Sequence, residues 1–397
     1  MRRRAEETGG GLKLTVARTL DEVERMRPSW AFLQRAVPCP NYNADIDRYI
    51  SVLESLDGRE RPYVVLLSRG GEPVALCAAR LGVLSFKLGA PYRTIFALKL
   101  NCLSVVHGGL LGSPEQAALE SVWSELYEAV RRREADVVFF NHFPSGSPLV
   151  ATANRAAGPL ARGRFAVREP HWSMAMPASM ESFYASLAAP TRQDLKRALR
   201  KVSRAGAIEH VFYPGGLQLD TALRAVEEIS REAYQRALGT GFTGGAAQMS
   251  QLRAAAGHGW LRVHVLLLDG APAAFEMAME YSGTYFLYAT AYRASLRPVA
   301  PGKALLLMLL EHLCERGGVE RMDFGFGDAD YKRIYCRECV DEVASYVFAP
   351  RLKAIAVNLM QAASGAASAV LRKALAPAGG TRRIKRRWRE RLARGER

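Results

Sequence analysis

Two short stretches in the second half of the chain carry residue types that do chemistry. The first is TYFLYATAYRASLRPVAPGKALLLMLLEHL, residues 284–313. It reads as a strand, a turn and a helix starting near Gly302. Backbone N–H groups at a helix start are unpaired and sit at the positive end of the helix dipole, so they bind phosphate. Pro301 suits the first helical turn, Gly302 lets a phosphate approach the backbone, and Lys303 adds positive charge. The second stretch is MDFGFGDADYKRIYC, residues 322–336. Here a short strand ends in a Gly-rich turn carrying Asp323, Asp328, Asp330, Tyr331 and Lys332. Polar groups just past the C-terminal end of a strand lie where α/β sheets bind ligands. The same residues also suit a capped turn, with Asp328 or Asp330 starting a short helix.

The surrounding pattern predicts the elements that position these stretches. YVVLLSRGGEPVALCAARL (63–81) and LRVHVLLLDGAPAAFEMAMEY (261–281) each read as strand, short turn, strand. Each is followed by further strand-like sequence, a helix (114–133 and 302–316) and a short strand, ADVVFFN or VERMDFGF. The parallel predicts a duplicated α/β unit, a mixed and mostly antiparallel sheet flanked by helices. We place a charged, Gly-rich N-terminus at 1–11, a first unit at 12–170, a second at 171–350, and a C-terminal helix with a basic tail at 351–397. The interruption by Gly, Pro and charge at 161–177 marks the boundary between units. Further helices are expected over 182–205, with a basic face, and over 220–237.

Charge narrows the partners. The chain has 397 residues and a formal net charge of +16, which favours acidic partners: phosphate-bearing cofactors, nucleic acid or an anionic membrane. The tail 381–397 holds nine Arg/Lys against two Glu, and 192–204 holds six basic residues against one Asp. Either cluster also reads as a solvated face. Residues 354–371 (AIAVNLMQAASGAASAVL) carry no charge, with Asn358, Gln361, Ser364 and Ser368 on one helical face. An amphipathic helix followed by a basic tail suits the plane of an anionic membrane. Six cysteines, with one CxxC (Cys336, Cys339) and no second pair, predict reduced cytosolic thiols and no metal site. The opening MRRRAEETGGG reads as neither a leader nor a span.

From about Phe183 to Tyr346 the chain resembles the GNAT-type acyltransferases of the CelD/BioF2-like group, relatives of the FemAB aminoacyltransferases. The resemblance rests on RQDLKRALRKVSRAG, VHVLLLDGAPAAFEMAM, PGKALLLMLLEHLCERG and DFGFGDADYKRIY, in that order. It implies tandem GNAT-like units, the first degenerate. It also implies an acyl-CoA co-substrate, with Arg297, Ala300, Pro301, Gly302 and Lys303 as the pyrophosphate loop. Ala300 stands where the family's R/Q-x-x-G-x-G/A motif has its first glycine, which leaves room for another thioester carrier.

N-acyl transfer needs a base for the amine, donors for the oxyanion and an acid for the leaving thiolate. The resemblance implies a carboxylate base and a tyrosine acid, with the thioester held against a splayed strand near Tyr288. The candidates are Asp328, then Glu276, then His142 as base, and Tyr331, with Tyr335 as substitute, as acid. Lys332 is expected to orient an acidic group or a phosphate. Arg192 and Arg197 are expected to contact an anionic acceptor or lipid phosphate. The expected acceptor is an amine of the cell envelope, a lipid amine such as a sphingoid base or an amino sugar. The expected location is cytoplasmic, peripheral on the inner membrane face. Two other readings stand beside this one: a transferase drawing on aminoacyl-tRNA, and a non-catalytic partner in exopolysaccharide synthesis.

Overall fold

The computed structural model describes residues 6–8, 11–90, 93–164, 166–232 and 241–375. The elements run β1 (Glu6–Thr8), β2 (Leu12–Ala17), α1 (Leu20–Arg25), α2 (Arg27–Arg35), α3 (Ile46–Ser55), β3 (Arg61–Arg69), β4 (Glu72–Ala90), β5 (Arg93–Gly112), α4 (Gln116–Arg131), β6 (Val137–Pro144) and α5 (Pro148–Ala156). Next come β7 (Val167–Ala175), α6 (Met180–Ala185), α7 (Ala189–Ala205), β8 (Ile208–Tyr213), α8 (Leu219–Glu232), α9 (Ala246–Gly257), β9 (Leu261–Leu268), β10 (Ala271–Tyr281) and β11 (Thr284–Tyr292). The last are α10 (Pro301–Arg316), β12 (Arg321–Phe326), α11 (Asp330–Tyr335), β13 (Glu338–Phe348) and α12 (Leu352–Leu375). They form two compact units, one up to Glu169 together with the chain from Asp341, the other Pro170–Val340.

In the first unit the strands pair in the order β1-β2-β3-β4-β5-β6-β13. All pairs are antiparallel except β5 with β6. The run YVVLL in β3 is apolar at every position because both faces of the sheet are covered. Tyr63, Val65 and Leu67 point into a core shared with α4, α5 and α12. Val64 and Leu66 point into another built from Val23, Trp30, Ile46, Tyr49 and Leu53 of α1–α3. Sequence pattern alone assigned 341–350 to the second unit. Instead Val343–Phe348 pairs with β6, and Ala354 and Val357 of α12 join the first core. Such a return is set by a partner strand some two hundred residues away, which no local pattern encodes.

In the second unit the order is β7-β12-β11-β10-β9-β8, and β11/β12 is the parallel pair. Leu305, Leu306, Leu307, Leu309, Leu310 and Leu313 of α10 are all buried, against the sheet, α6 and α7. The duplicated hairpins share one turn chemistry. Gly70-Gly71 and Asp269-Gly270 both have positive φ at two successive central residues, the conformation that matches the twist of paired strands. Among the described residues no helix is long and apolar enough to cross a membrane.

Candidate active site

The second unit opens where its parallel strands part. β11 and β12 pair only through Thr284↔Arg321, Tyr285↔Met322 and Phe286↔Asp323. Beyond these, β11 continues to Tyr292 without β12 alongside. Between Met277↔Ala289 and Ala278↔Leu287, Tyr288 opposes no residue of β10, a bulge that bends β11 and re-aims its side chains. The Tyr288 hydroxyl accepts a hydrogen bond from Gln248 Nε2 at 3.0 Å. A strand whose edge is unpaired can take up an extended amide-bearing ligand by backbone pairing.

β11 leads through a 3-10 turn, Ala294–Val299, into α10. The residue ahead of the helix, Ala300, has φ 57 and ψ 50, and no side chain caps the helix start. A left-handed conformation is easy for glycine and costs alanine about 1 kcal/mol, so Ala300 does the motif glycine's conformational work at a cost. Arg297 is exposed on the turn. Lys303 is held by Asp194 Oδ2 at 2.8 Å, and Arg197 and Lys201 of α7 also act on that carboxylate. Arg192 is half-buried and Arg197 exposed on the same helix. The uncapped helix start thus has a basic flank.

At the fork of β11 and β12 the structure places a pair that sequence reasoning missed. His171 of β7 meets both carboxylate oxygens of Asp323 through Nε2, at 2.8 and 2.9 Å. The backbone N–H of Gly325 also donates to Asp323 Oδ1, at 2.7 Å. Donation from Nε2–H to a carboxylate leaves Nδ1 as the basic nitrogen. The ring packs against Phe326, with centroids 4.6 Å apart. Asp323 is the last residue of the paired segment, so this histidine sits where the strands separate. The missed signal was the HW of REPHWSMA, read only as boundary sequence.

The expected site residues divide. Lys332 is buried, and its ammonium donates to the carbonyls of Gly325 (3.1 Å) and Phe326 (2.6 Å). It therefore braces the end of β12. Asp328 is exposed and bound through both oxygens to the Arg333 guanidinium, which holds its carboxyl below the usual range and makes it a weak base. Tyr331 is half-buried, with its ring 6.3 Å from Phe324. Tyr335 is stacked on Phe183, and burial raises its phenol. Its hydroxyl has no hydrogen-bond partner among the described residues. Glu276 is buried in β10; burial pushes its carboxyl up to about 8, and a hydrogen bond from Thr290 opposes this. His142 belongs to the first unit. It has φ 52 at a bulge opposite β13 and meets Asn141 Oδ1 and Glu169 Oε2 at 2.8 and 3.3 Å. Burial lowers its pKa.

Residues 189–333 match the acetyltransferase (GNAT) domain family. The second unit is a GNAT acyltransferase domain. The matched segment runs from α7 through α11 and includes the uncapped helix start and the fork of this GNAT domain. Solved structures share the fold over most of the chain. The crystal structure of FemX aligns with a TM-score of 0.56 at 10% identity, covering 81% of this chain and 96% of FemX. A protein of unknown function from Bacteroides thetaiotaomicron aligns with a TM-score of 0.50 at 11% identity, covering 84% and 100%. The C-terminal domain of a protein described as a lysylphosphatidylglycerol synthetase, from Agrobacterium fabrum, gives 0.50 at 13% identity, covering 86% and 96%. At these identities the likeness is one of fold. No curated protein matches the chain by sequence.

Proposed function

We propose that the enzyme transfers an acyl group from a CoA thioester to a primary amine of a cell-envelope component, with His171 as the base. The observation that carries the reading is the His171–Asp323 pair at the fork, on the same β11/β12 pair that leads to the uncapped start of α10. The start of α10 at Gly302 receives the pyrophosphate, with Arg297 beside it. The amide-bearing arm pairs with the free edge of β11, and the thioester lies near Tyr288.

His171 Nδ1 takes a proton from the acceptor ammonium, and Asp323 stabilises the imidazolium that forms. The amine attacks the thioester carbonyl, and backbone N–H groups of β11 hold the oxyanion. The attack forms the C–N bond, the nitrogen then loses its second proton to solvent, and collapse of the tetrahedral intermediate breaks the C–S bond. The thiolate leaves with a proton from Tyr331. Arg192 and Arg197 meet the acceptor's anionic part. We take the acceptor to be a lipid amine or an amino sugar, reached from the cytoplasmic face of an anionic membrane.

Thermal-shift titration tests the donor. Stabilisation by acetyl-CoA or a long-chain acyl-CoA is expected. Stabilisation by aminoacyl-tRNA alone would replace the CoA reading. A His171→Ala enzyme that still binds acyl-CoA but no longer turns over places the histidine in the chemical step. Full turnover in that variant removes it as the base.

A further inference from the structure

α12 is folded with Asn358 inward and Gln361 and Ser364 half-buried. Asn358 is buried, and its side-chain N–H groups donate to the carbonyls of Leu160 (3.1 Å) and Arg162 (2.8 Å). Its Oδ1 accepts from the backbone N–H of Arg164 at 3.2 Å. Ala354 and Val357 share that inward side. Asn358 therefore anchors the helix to its own unit.

The outward stripe is apolar. Leu352, Ala356, Leu359, Ala363 and Ala366 recur at spacings of four and three residues and are all exposed, Leu352 at 90% and Leu359 at 44%. Such spacing lines one helical face. The helix contains no Asp or Glu, and its charges are Lys353, Arg372 and Lys373. The sequence that follows, 381–397, lies outside the described residues and carries nine Arg/Lys against two Glu, with Trp388 among them.

A contiguous apolar helix face wants a low-dielectric partner, and the cations beside it in sequence want an anionic one. A single surface meets both demands, the headgroup and acyl boundary of an anionic bilayer. A second copy of this chain meets only the first, because it would bring another strongly cationic segment alongside. We infer that the outward face of α12 is the seat on which the enzyme rests on anionic lipid, in the membrane plane. The inference rests on the proposed membrane location and names the element responsible for it.

The test uses the full chain and flotation with two vesicle types, phosphatidylcholine alone and an equimolar mixture with phosphatidylglycerol. Wild type is expected to float with the mixture and not with phosphatidylcholine alone. The double variant Leu352→Glu/Leu359→Glu is expected to lose about tenfold in partitioning, because two apolar contacts become two like-charged ones. Both positions are exposed, so an unchanged thermal transition shows that the variant is folded. If the double variant partitions as wild type while deletion of 381–397 abolishes binding, the tail alone is the anchor; the inference fails and the membrane location stands. If wild type floats with neither vesicle, both fail. Sedimentation showing a dimer that the double variant dissociates, with no vesicle binding, assigns the stripe to a second copy.

Discussion

The two units run the same device with different endings. In each, a hairpin with a two-residue turn feeds a third strand, which pairs in parallel with a fourth for only a few residues. In the first unit, β5 leaves β6 after Val105↔Phe140, and a short connection starts α4. The residue ahead of that helix is Glu115, a carboxylate 3.4 Å from Arg69. In the second unit the connection is longer, winds through Ala294–Val299 and delivers Ala300, with no acid in the first turn. Neither helix start has a side-chain cap or an acid in its first turn; they differ in the residue ahead, a glutamate paired with Arg69 before α4 and a left-handed alanine before α10. The strand ends differ less. The first unit keeps His107 beside Glu342 (3.1 Å) and His142 beside Glu169, where the second has His171 on Asp323.

The largest expected effect confines chemistry to the second unit. His171→Ala lowers kcat about 100- to 10,000-fold with donor affinity kept, and His107→Ala lowers it far less. Steady-state kinetics with the acceptor check this, and equal losses would break the asymmetry. Next comes the brace on β12. Lys332→Met leaves two half-buried carbonyls without their ammonium partner and costs about 1–2 kcal/mol in urea unfolding; an unchanged midpoint would show that the fork does not depend on it. Third, Gly302→Glu puts a carboxylate in the first turn of α10 and weakens CoA binding about tenfold by calorimetry. Glu115→Gln in the first unit leaves that affinity as it is.

Counted from the hairpin turn, Glu276 stands where the first unit has Cys77, and both are buried. The Glu276 pKa rises on folding from 4.5 to about 8, so the folded state holds the proton more tightly than the unfolded chain. Its contribution to stability is complete below pH 4.5 and declines as pH rises toward 8. Glu276→Gln is expected to unfold with a midpoint less dependent on pH across that window; an identical pH profile would mean the carboxyl is not buried neutral. The smallest effect is at Ala300. Replacement by Gly relieves the left-handed strain but adds unfolded-chain entropy, for a net change under about 1 kcal/mol by thermal denaturation.

Local chemistry made much of this legible. The apolar run of α10, the Gly-rich turns and Pro301 before an uncapped helix follow from side-chain periodicity and backbone preference, and they act within a few residues. They were enough for the duplicated α/β units and for the uncapped helix start. Within 322–336 a short strand and a Gly-rich turn were expected; the strand runs to Phe326 and a helix starts at Asp330, so the turn is shorter than expected, and the roles of its residues were not readable. Asp328 has the right chemistry for a base, but Arg333 occupies it. Lys332 has the right charge for a phosphate, but the carbonyls of Gly325 and Phe326 take it. Which polar group is spent on structure depends on neighbours that only folding brings.

The same distinction separates the remaining features. Composition and pattern settled that this chain carries a helix entered through Pro301 and Gly302, a Gly-rich turn after a strand and a cationic end. Tertiary structure decided that His171 meets Asp323 across 152 residues, that Asp341 returns to the first unit and that Asn358 turns inward. Each of those depends on strand register or on the satisfaction of a buried polar group. Both are long-range conditions, and a sequence read a few residues at a time does not contain them.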